Sequence, residues 1–416
     1  MGILAADAMA PSLLPSRLRR PQSPKTRIVV SFLPAEGAIY RRELEAALNV
    51  VERASLLCSS VRSSMFMRGD ELVKKSDLSP VTVADFGVQS LISMELGSLF
   101  PSIPLVAEED ASLLRLELEE RGNEGADKPS LVSKVVEAVS RVASPGVQPV
   151  SIKSVLEAID RSGEVYPFPS TRKMSSFWVL DPIDGTRGFV EGGDSLYVIG
   201  LSLVVDGKVV LGVMGCPCLT RANMASSVSG KRLIWTVEKM MKENIWSSNG
   251  VLVTAYRGHG TWLRSLDTLA IHQHKSLDEQ DFVQSFVDGC ITPDDAHFGL
   301  SRHENWASTP LATLVPAKID SVAFHFCCGS LCKYFAVAIG AVSAVLLPQS
   351  QKFVKAWDHA AGLICVQEAG GKVTDGEGSN LENLIGEGQR TFVPGGGSIM
   401  VTNGHLHHII LEHLSR

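Results

Sequence analysis

No uninterrupted apolar run in these 416 residues reaches the about 18 needed to cross a bilayer, because charge, glycine or proline breaks every rich stretch. An integral membrane protein is not expected. A basic excess is missing too: the formal net charge is −6 and the isoelectric point lies near 6.0. A nucleic-acid binder neutralises phosphates with many lysines and arginines, so no nucleic-acid partner is expected. A charged small molecule would need a local positive site. Paired cysteine spacings are also absent. Cys58, Cys216, Cys218, Cys290, Cys327, Cys328, Cys332 and Cys365 match neither a disulfide framework nor a zinc ribbon. They read as reduced thiols, mostly small buried hydrophobes. Self-similarity at 20 to 50 residues is lacking, which excludes a solenoid.

What is present is a globular balance of 45% hydrophobic and 20% charged residues, far from the composition of disordered chains. The length suits two to three structural units. The first 42 residues stand apart. They carry Arg17, Arg19, Arg20, Lys25, Arg27, Arg41 and Arg42 against only Asp7 and Glu36, with no apolar h-region. That profile predicts an organellar transit segment over residues 1–42, mitochondrial first and plastid second. A disordered basic tail has the same composition.

Leu44, Ala47, Leu48, Val51, Ala54, Leu57, Cys58 and Val61 recur at helical spacing and predict a long helix from Arg42 to about Met67. A loop is expected over Lys74–Thr82, then a helix over Ala84–Leu99 stopped by Pro101. Ile103–Ala107 reads as a buried strand delivering Glu108, Glu109 and Asp110. Residues 111–175 read as an insertion of helices and loops, and Phe177–Leu180 as a strand ending in Asp181. Asp206-Gly207 between two apolar runs predicts a hairpin of Tyr197–Val205 and Val209–Met214. Residues 219–262 give no clear pattern. Beyond them come strands at Val322–Phe326 and Ala344–Leu347, near Val373, and at Ile399–Val401. Helices are expected at Ser330–Ile339, from Asp358 and over His405–Leu414. The alternation predicts an α/β (α+β) layered fold in two sub-domains.

Three acid-bearing segments stand at the ends of apolar runs. In Trp178-Val179-Leu180-Asp181-Pro182-Ile183-Asp184-Gly185-Thr186, Pro182 fixes one φ and Gly185 permits a tight turn. Two carboxylates brought that close repel one another and lose hydration. Mg²⁺, which takes carboxylate, carbonyl and water oxygens, relieves the conflict. Glu108-Glu109-Asp110 and Trp357-Asp358-His359-Ala360-Ala361-Gly362 supply further acids, and the small residues after Asp358 allow a helix to pack closely. Taken singly, each acid is as well explained as a helix cap or a solvated side chain; their joint appearance favours a metal site.

These segments, with Asp77-Leu78-Ser79-Pro80-Val81-Thr82-Val83-Ala84-Asp85, resemble the four signature blocks of the lithium-sensitive, Mg²⁺-dependent phosphatases related to inositol monophosphatase. The resemblance spans about residues 43 to 410 and keeps the family's order. It implies a layered αβαβα sandwich of the inositol monophosphatase/fructose-bisphosphatase type. Residues 43–230 would form an N-terminal metal-binding domain, and 231–416 a C-terminal α/β domain completing the site. Ser79-Pro80-Val81-Thr82, the Glu-Glu-Asp ending and the long separation of Glu108 from Asp181 resemble the branch that removes the 3′-phosphate of 3′-phosphoadenosine 5′-phosphate (PAP). That branch implies hydrolysis of PAP to AMP and phosphate, and of the sulfonucleotide PAPS as well. Inositol phosphate hydrolysis at the same metal site, or a catalytically silent regulatory relative, are the alternatives.

Carried over by position, the resemblance implies Glu108, Asp181, the Ile183 carbonyl, Asp184 and Asp358 as ligands of two or three Mg²⁺ ions. Asp85 and Thr186 would orient and deprotonate the attacking water. Backbone N–H groups of Gly185 and Thr186 would meet the phosphate, and His303, Ser330 and Lys333 the nucleotide. A monomer is expected. Leu346, before Leu347-Pro348, stands where the branch carries an arginine, and Ala107 replaces a glycine. Other features take plainer readings. His405, His407, His408 and His413 read as a solvated helix face, Gly395-Gly396-Gly397 as a loop, Cys216-Pro217-Cys218 as a turn, and Lys231–Lys242 as a surface helix.

Overall fold

The helical apolar spacing near the start of the chain becomes α1, Arg41–Arg68, and the next such stretch becomes α2, Val83–Leu99. Leu44, Ala47, Leu48, Val51, Ala54, Leu57, Cys58 and Val61 are all buried. The computed structural model describes residues 39–68, 73–74, 80–81, 83–121, 129–147, 149–162, 175–192, 195–219, 250–266, 282–302, 304, 306–315, 323–326, 329–348 and 353–415. The expected transit segment apart from residues 39–42, the basic run Lys231–Lys242, Cys327, Cys328 and His303 lie outside the described residues.

A seven-stranded sheet forms the first β layer: β1 (Leu105–Ala107), β2 (Ser176–Asp184), β3 (Val198–Val205), β4 (Lys208–Cys216), β5 (Val251–Tyr256), β6 (Gly260–Ser265) and β7 (Val283–Ser285), in that order. The β1–β2 pair is parallel and the other pairs are antiparallel. The insertion supplies three helices, α3 (Ser112–Arg121), α4 (Leu131–Ser140) and α5 (Ile152–Asp160). Between β3 and β4 the turn residues Asp206 and Gly207 have φ of 48° and 79°, the positive pair that a type I′ hairpin needs.

After α6 (Thr186–Glu191), the second β layer contains β8 (Phe298–Ser301), β9 (Ala323–Phe326), β10 (Ala344–Pro348), β11 (Lys372–Asp375) and β12 (Ser398–Thr402). Their spatial order is β9-β8-β10-β12-β11. Helices α7 (Leu331–Ala338) and α8 (Ala360–Glu368) lie between the sheets. Two further helices follow, α9 (Leu381–Gly386) and α10 (His407–Leu414). Side chains alternate along β2. Trp178 and Leu180 join the core with α1 and α2, while Phe177 and Val179 join the core with α7 and α8. A third core, with Phe298, Leu346, Met400 and Ile410, fills the outer face of the second sheet. The layers therefore run helix, sheet, helix, sheet, helix, the expected αβαβα sandwich.

Several local expectations change. The unpatterned 219–262 stretch contains β5 and the start of β6, which pair as a hairpin. Val251, Leu252, Val253 and Ala255 are buried on both faces of the sheet, so no polar alternation marks the strand. Helix α8 starts at Ala360 after an N-cap at His359, which leaves Asp358 in the preceding turn. His407 is not solvated: it is buried, with its ring nitrogens 3.2 Å and 3.0 Å from the hydroxyls of Thr374 and Thr402. The six described cysteines are all buried thiols.

The small residues after Asp358 do what their size predicts. A Cβ on Gly362 would lie 2.4 Å from Tyr334 Cγ, so α8 and α7 touch through the space a side chain would fill. Alanine favours a helix by about 1 kcal/mol over glycine. Overpacking here costs about 1–3 kcal/mol, and the ring is fully buried. Gly362→Ala should therefore lower stability in urea denaturation. Gly146→Ala, at a site with nothing within 4 Å, is the control and should leave the midpoint unchanged.

Candidate active site and metal centre

In a regular strand, residues three apart point to opposite faces. Asp181 pairs with Gly200 and Asp184 with Val198, so β2 carries one extra residue between them. That bulge turns both carboxylates to one side, and Pro182 sits where a ladder donor is not required. The parallel register sets the second approach. Ala107 pairs with Leu180, so Glu108 and Asp181 leave the sheet side by side. Gln89 of α2 clamps the next peptide, accepting from Glu109 N at 2.8 Å and donating to Glu109 O at 2.6 Å. The turn before α8 contributes Asp358. Carboxylate oxygens of Asp181, Asp184 and Asp358 lie within 4.8 Å of one another.

Asp184 reaches across to the next layer. Its oxygens accept backbone N–H bonds from Ser330 at 2.9 Å, Leu331 at 2.6 Å and Cys332 at 3.3 Å, at the N-terminus of α7. Gly329, with φ of 82°, permits this approach, since a Cβ there would lie 2.5 Å from Asp184 Oδ2. Buried Lys333 turns back to donate to Gly329 O at 2.9 Å. Thr186 Oγ1 donates to the Ile183 carbonyl at 3.1 Å, and Gly185 makes the left-handed turn into α6 with φ of 84°. Asp85 is buried in the first turn of α2. Glu108 Oε1 accepts from Lys355 Nζ at 2.7 Å.

Burial dominates the electrostatics. It pushes the Asp181 carboxyl well above the usual range, and the charges of Asp184, Glu108, Asp358 and Asp85 push the same way. Burial takes Asp358 to about 8, with Asp184 and Glu108 adding to the rise. Lys355 and a hydrogen bond with Asp181 oppose it. Asp184 is raised by burial to about 6, held down by the α7 N–H groups and Lys333. Among the described residues, Asp181 Oδ1 is buried without a hydrogen-bond partner. An orphaned carboxylate oxygen among other acids marks a position built for a cation.

The protein-family model for the inositol monophosphatase family matches residues 40–416. The chain belongs to the inositol monophosphatase family. An Arabidopsis thaliana protein that carries the name of a mitochondrial 3′(2′),5′-bisphosphate nucleotidase is 42% identical, over 92% of this chain and 89% of its own length. A 3′(2′),5′-bisphosphate nucleotidase of Emericella nidulans is 34% identical over 82% of this chain and 90% of its own. Among solved structures, an inositol monophosphatase of Thermotoga maritima superposes with a TM-score of 0.52, at 17% identity, covering 90% of this chain and 97% of its own. The last shows a shared fold.

For this family member, an all-oxygen donor set with several carboxylates suits a hard divalent cation. The structure brings together Asp181, Asp184 and Asp358, with Glu108 alongside. Ser330 and Lys333 approach through α7. Two contributors carried no local signal in the sequence. Lys355 was two residues from a recognised tryptophan but looked like any surface lysine. Gln89 lay in a helix whose buried run, Ala84 to Leu96, hides a polar clamp among apolar neighbours.

The raised carboxyls have a consequence for stability. Unfolded aspartates lose their protons near about 4, whereas Asp184 and Asp358 keep theirs in the fold to about 6 and about 8. The native state thus binds more protons over that window, so stability falls as pH rises through it. Metal-free protein should lose unfolding temperature from about pH 4 to 8, and Mg²⁺ should restore more at the upper end than at the lower. Thermal melts of chelator-treated protein, with and without Mg²⁺, check this. Equal Mg²⁺ effects across the range would contradict it.

Proposed function

We propose that this chain hydrolyses the 3′-phosphate of PAP to AMP and phosphate with Mg²⁺, and that it accepts PAPS. The observation that carries the reading is the gathering of buried Asp181 and Asp184 with half-buried Asp358 within 4.8 Å, in a chain 42% identical to a protein named as a bisphosphate nucleotidase. Glu108, Asp181, the Ile183 carbonyl, Asp184 and Asp358 would hold two or three ions. Bound Mg²⁺ supplies the charge that lets the carboxylates ionise together and that polarises phosphate and water.

The chain's own residues have separate tasks. Thr186 is fixed by its bond to Ile183 O, and its hydroxyl orients the attacking water. Asp85, buried and felt electrostatically by Asp181, takes the proton. Water oxygen bonds to phosphorus as the bond to the ribose 3′-oxygen breaks. The N–H groups of Gly185 and Thr186 steady the phosphate, while Ser330, Lys333 and His303 hold the nucleotide. The protein acts as a monomer and works in the mitochondrion, a location supported by the basic N-terminal composition and by the name of the Arabidopsis relative.

One observation favours a second substrate class. Leu346 belongs to the third core, with Phe298 and Met400. It therefore lies on the sheet face away from α7 and brings no charge for a 5′-phosphate. Inositol 1-phosphate, with its single phosphate, would not need that charge. A malachite-green assay on PAP, inositol 1-phosphate and inositol 1,4-bisphosphate separates the two. PAP should be turned over fastest, and an inositol phosphate preference would overturn the proposal. Asp181→Asn should lower kcat for PAP by more than the about 100-fold that outer-shell partners cost, with an unchanged circular dichroism spectrum. Parental turnover by that variant would sink the ligand assignment.

A further inference from the structure

Lys355 stands inside the acid centre with no role in the chemistry above. Its ammonium is 2.7 Å from Glu108 Oε1, and its charge is also felt by Asp358. It is also 5.6 Å from the centre of the Trp357 ring. Trp357 is itself fixed: the Arg390 guanidinium lies 4.8 Å from the ring centre and donates to Ala107 O at 2.5 Å and Ser162 O at 3.3 Å. The same arginine thus secures the backbone just before Glu108 and the ring just before Asp358. Lys355 lies between two anchored acids, yet its side chain keeps 39% of its exposure, against 19% for Glu108. An ammonium with that much exposure can swing to water at little desolvation cost.

We propose that Lys355 is a built-in competitor for the divalent cation: it neutralises Glu108 when the centre is empty and must leave that oxygen before Glu108 can bind an ion. The inference rests on the reading that these acids hold Mg²⁺. It assigns Lys355 a separate function, setting how tightly the Glu108 ion is held. Lysine suits the task because its charge sits on one flexible stem, whereas arginine would grip the carboxylate with a fork. A partly exposed ion pair contributes up to about 1 kcal/mol, so its competition should weaken the ion by about twofold to fivefold. Removing the ammonium should therefore tighten cation binding, whereas a merely structural lysine would weaken it when lost.

Mn²⁺ alone, titrated into the full chain and followed by electron paramagnetic resonance, reads binding without turnover. Lys355→Gln should bind at least one Mn²⁺ about twofold to fivefold more tightly than the parent. Lys355→Arg, which keeps the competing charge, should gain nothing. Circular dichroism confirms folding of each. Equal or weaker binding by Lys355→Gln, with the parent still taking up Mn²⁺, overturns the competitor and leaves the cation site standing. No uptake by the folded parent overturns the cation site and the competitor with it.

Discussion

Four carboxyl groups converge where water is scarce, and that single conflict organises the rest of the molecule. Like charges at this separation cannot all ionise in a buried place without help. The fold offers only partial help. Backbone donors from α7 reach Asp184, one lysine reaches Glu108, and Asp181 keeps a buried oxygen with no partner. A protein that needed only stability would replace such a cluster with apolar side chains. Its retention in a layered core shows where the chain accepts cost for function.

Holding the conflict in place takes unusually rigid surroundings. The bulge in β2, the parallel β1–β2 register and the Gln89 clamp each fix one acid relative to another. They sit at strand ends and on a helix buried from Ala84 to Leu96, backed by the aromatic contact between Tyr334 and His359. There the Tyr334 hydroxyl lies 2.9 Å from His359 Nδ1, and burial drives the imidazole down to about 3. A neutral ring under the acids adds no positive charge to the centre.

The acids were legible in the sequence because each follows a short apolar run, and a run that ends in Asp or Glu is visible without coordinates. The long α1, the Asp206-Gly207 hairpin and the layered architecture were legible for similar reasons of period and turn chemistry. What escaped was whatever depends on burial from two sides. Strand β5 is apolar on both faces, so it has no period of two, and His407 looks solvated on a helical wheel although it fills a gap between Thr374 and Thr402. Lys355 escaped for a different reason. Its significance comes wholly from Glu108, 247 residues away in the chain, and no local pattern encodes such a partner.

Asp184 ties these observations into one constraint. It belongs to a strand of the first sheet but binds the N-terminus of a helix that packs toward the second. Backbone N–H groups of Ser330, Leu331 and Cys332 and the charge of Lys333 favour an ionised carboxylate there, so burial raises Asp184 only to about 6, while burial and the charges of Asp184 and Glu108 take Asp358 to about 8. The residues proposed to hold the nucleotide, Ser330 and Lys333, occupy the first turn of that same helix. Asp184 thus links α7, and with it Ser330 and Lys333, to the acid cluster through one side chain.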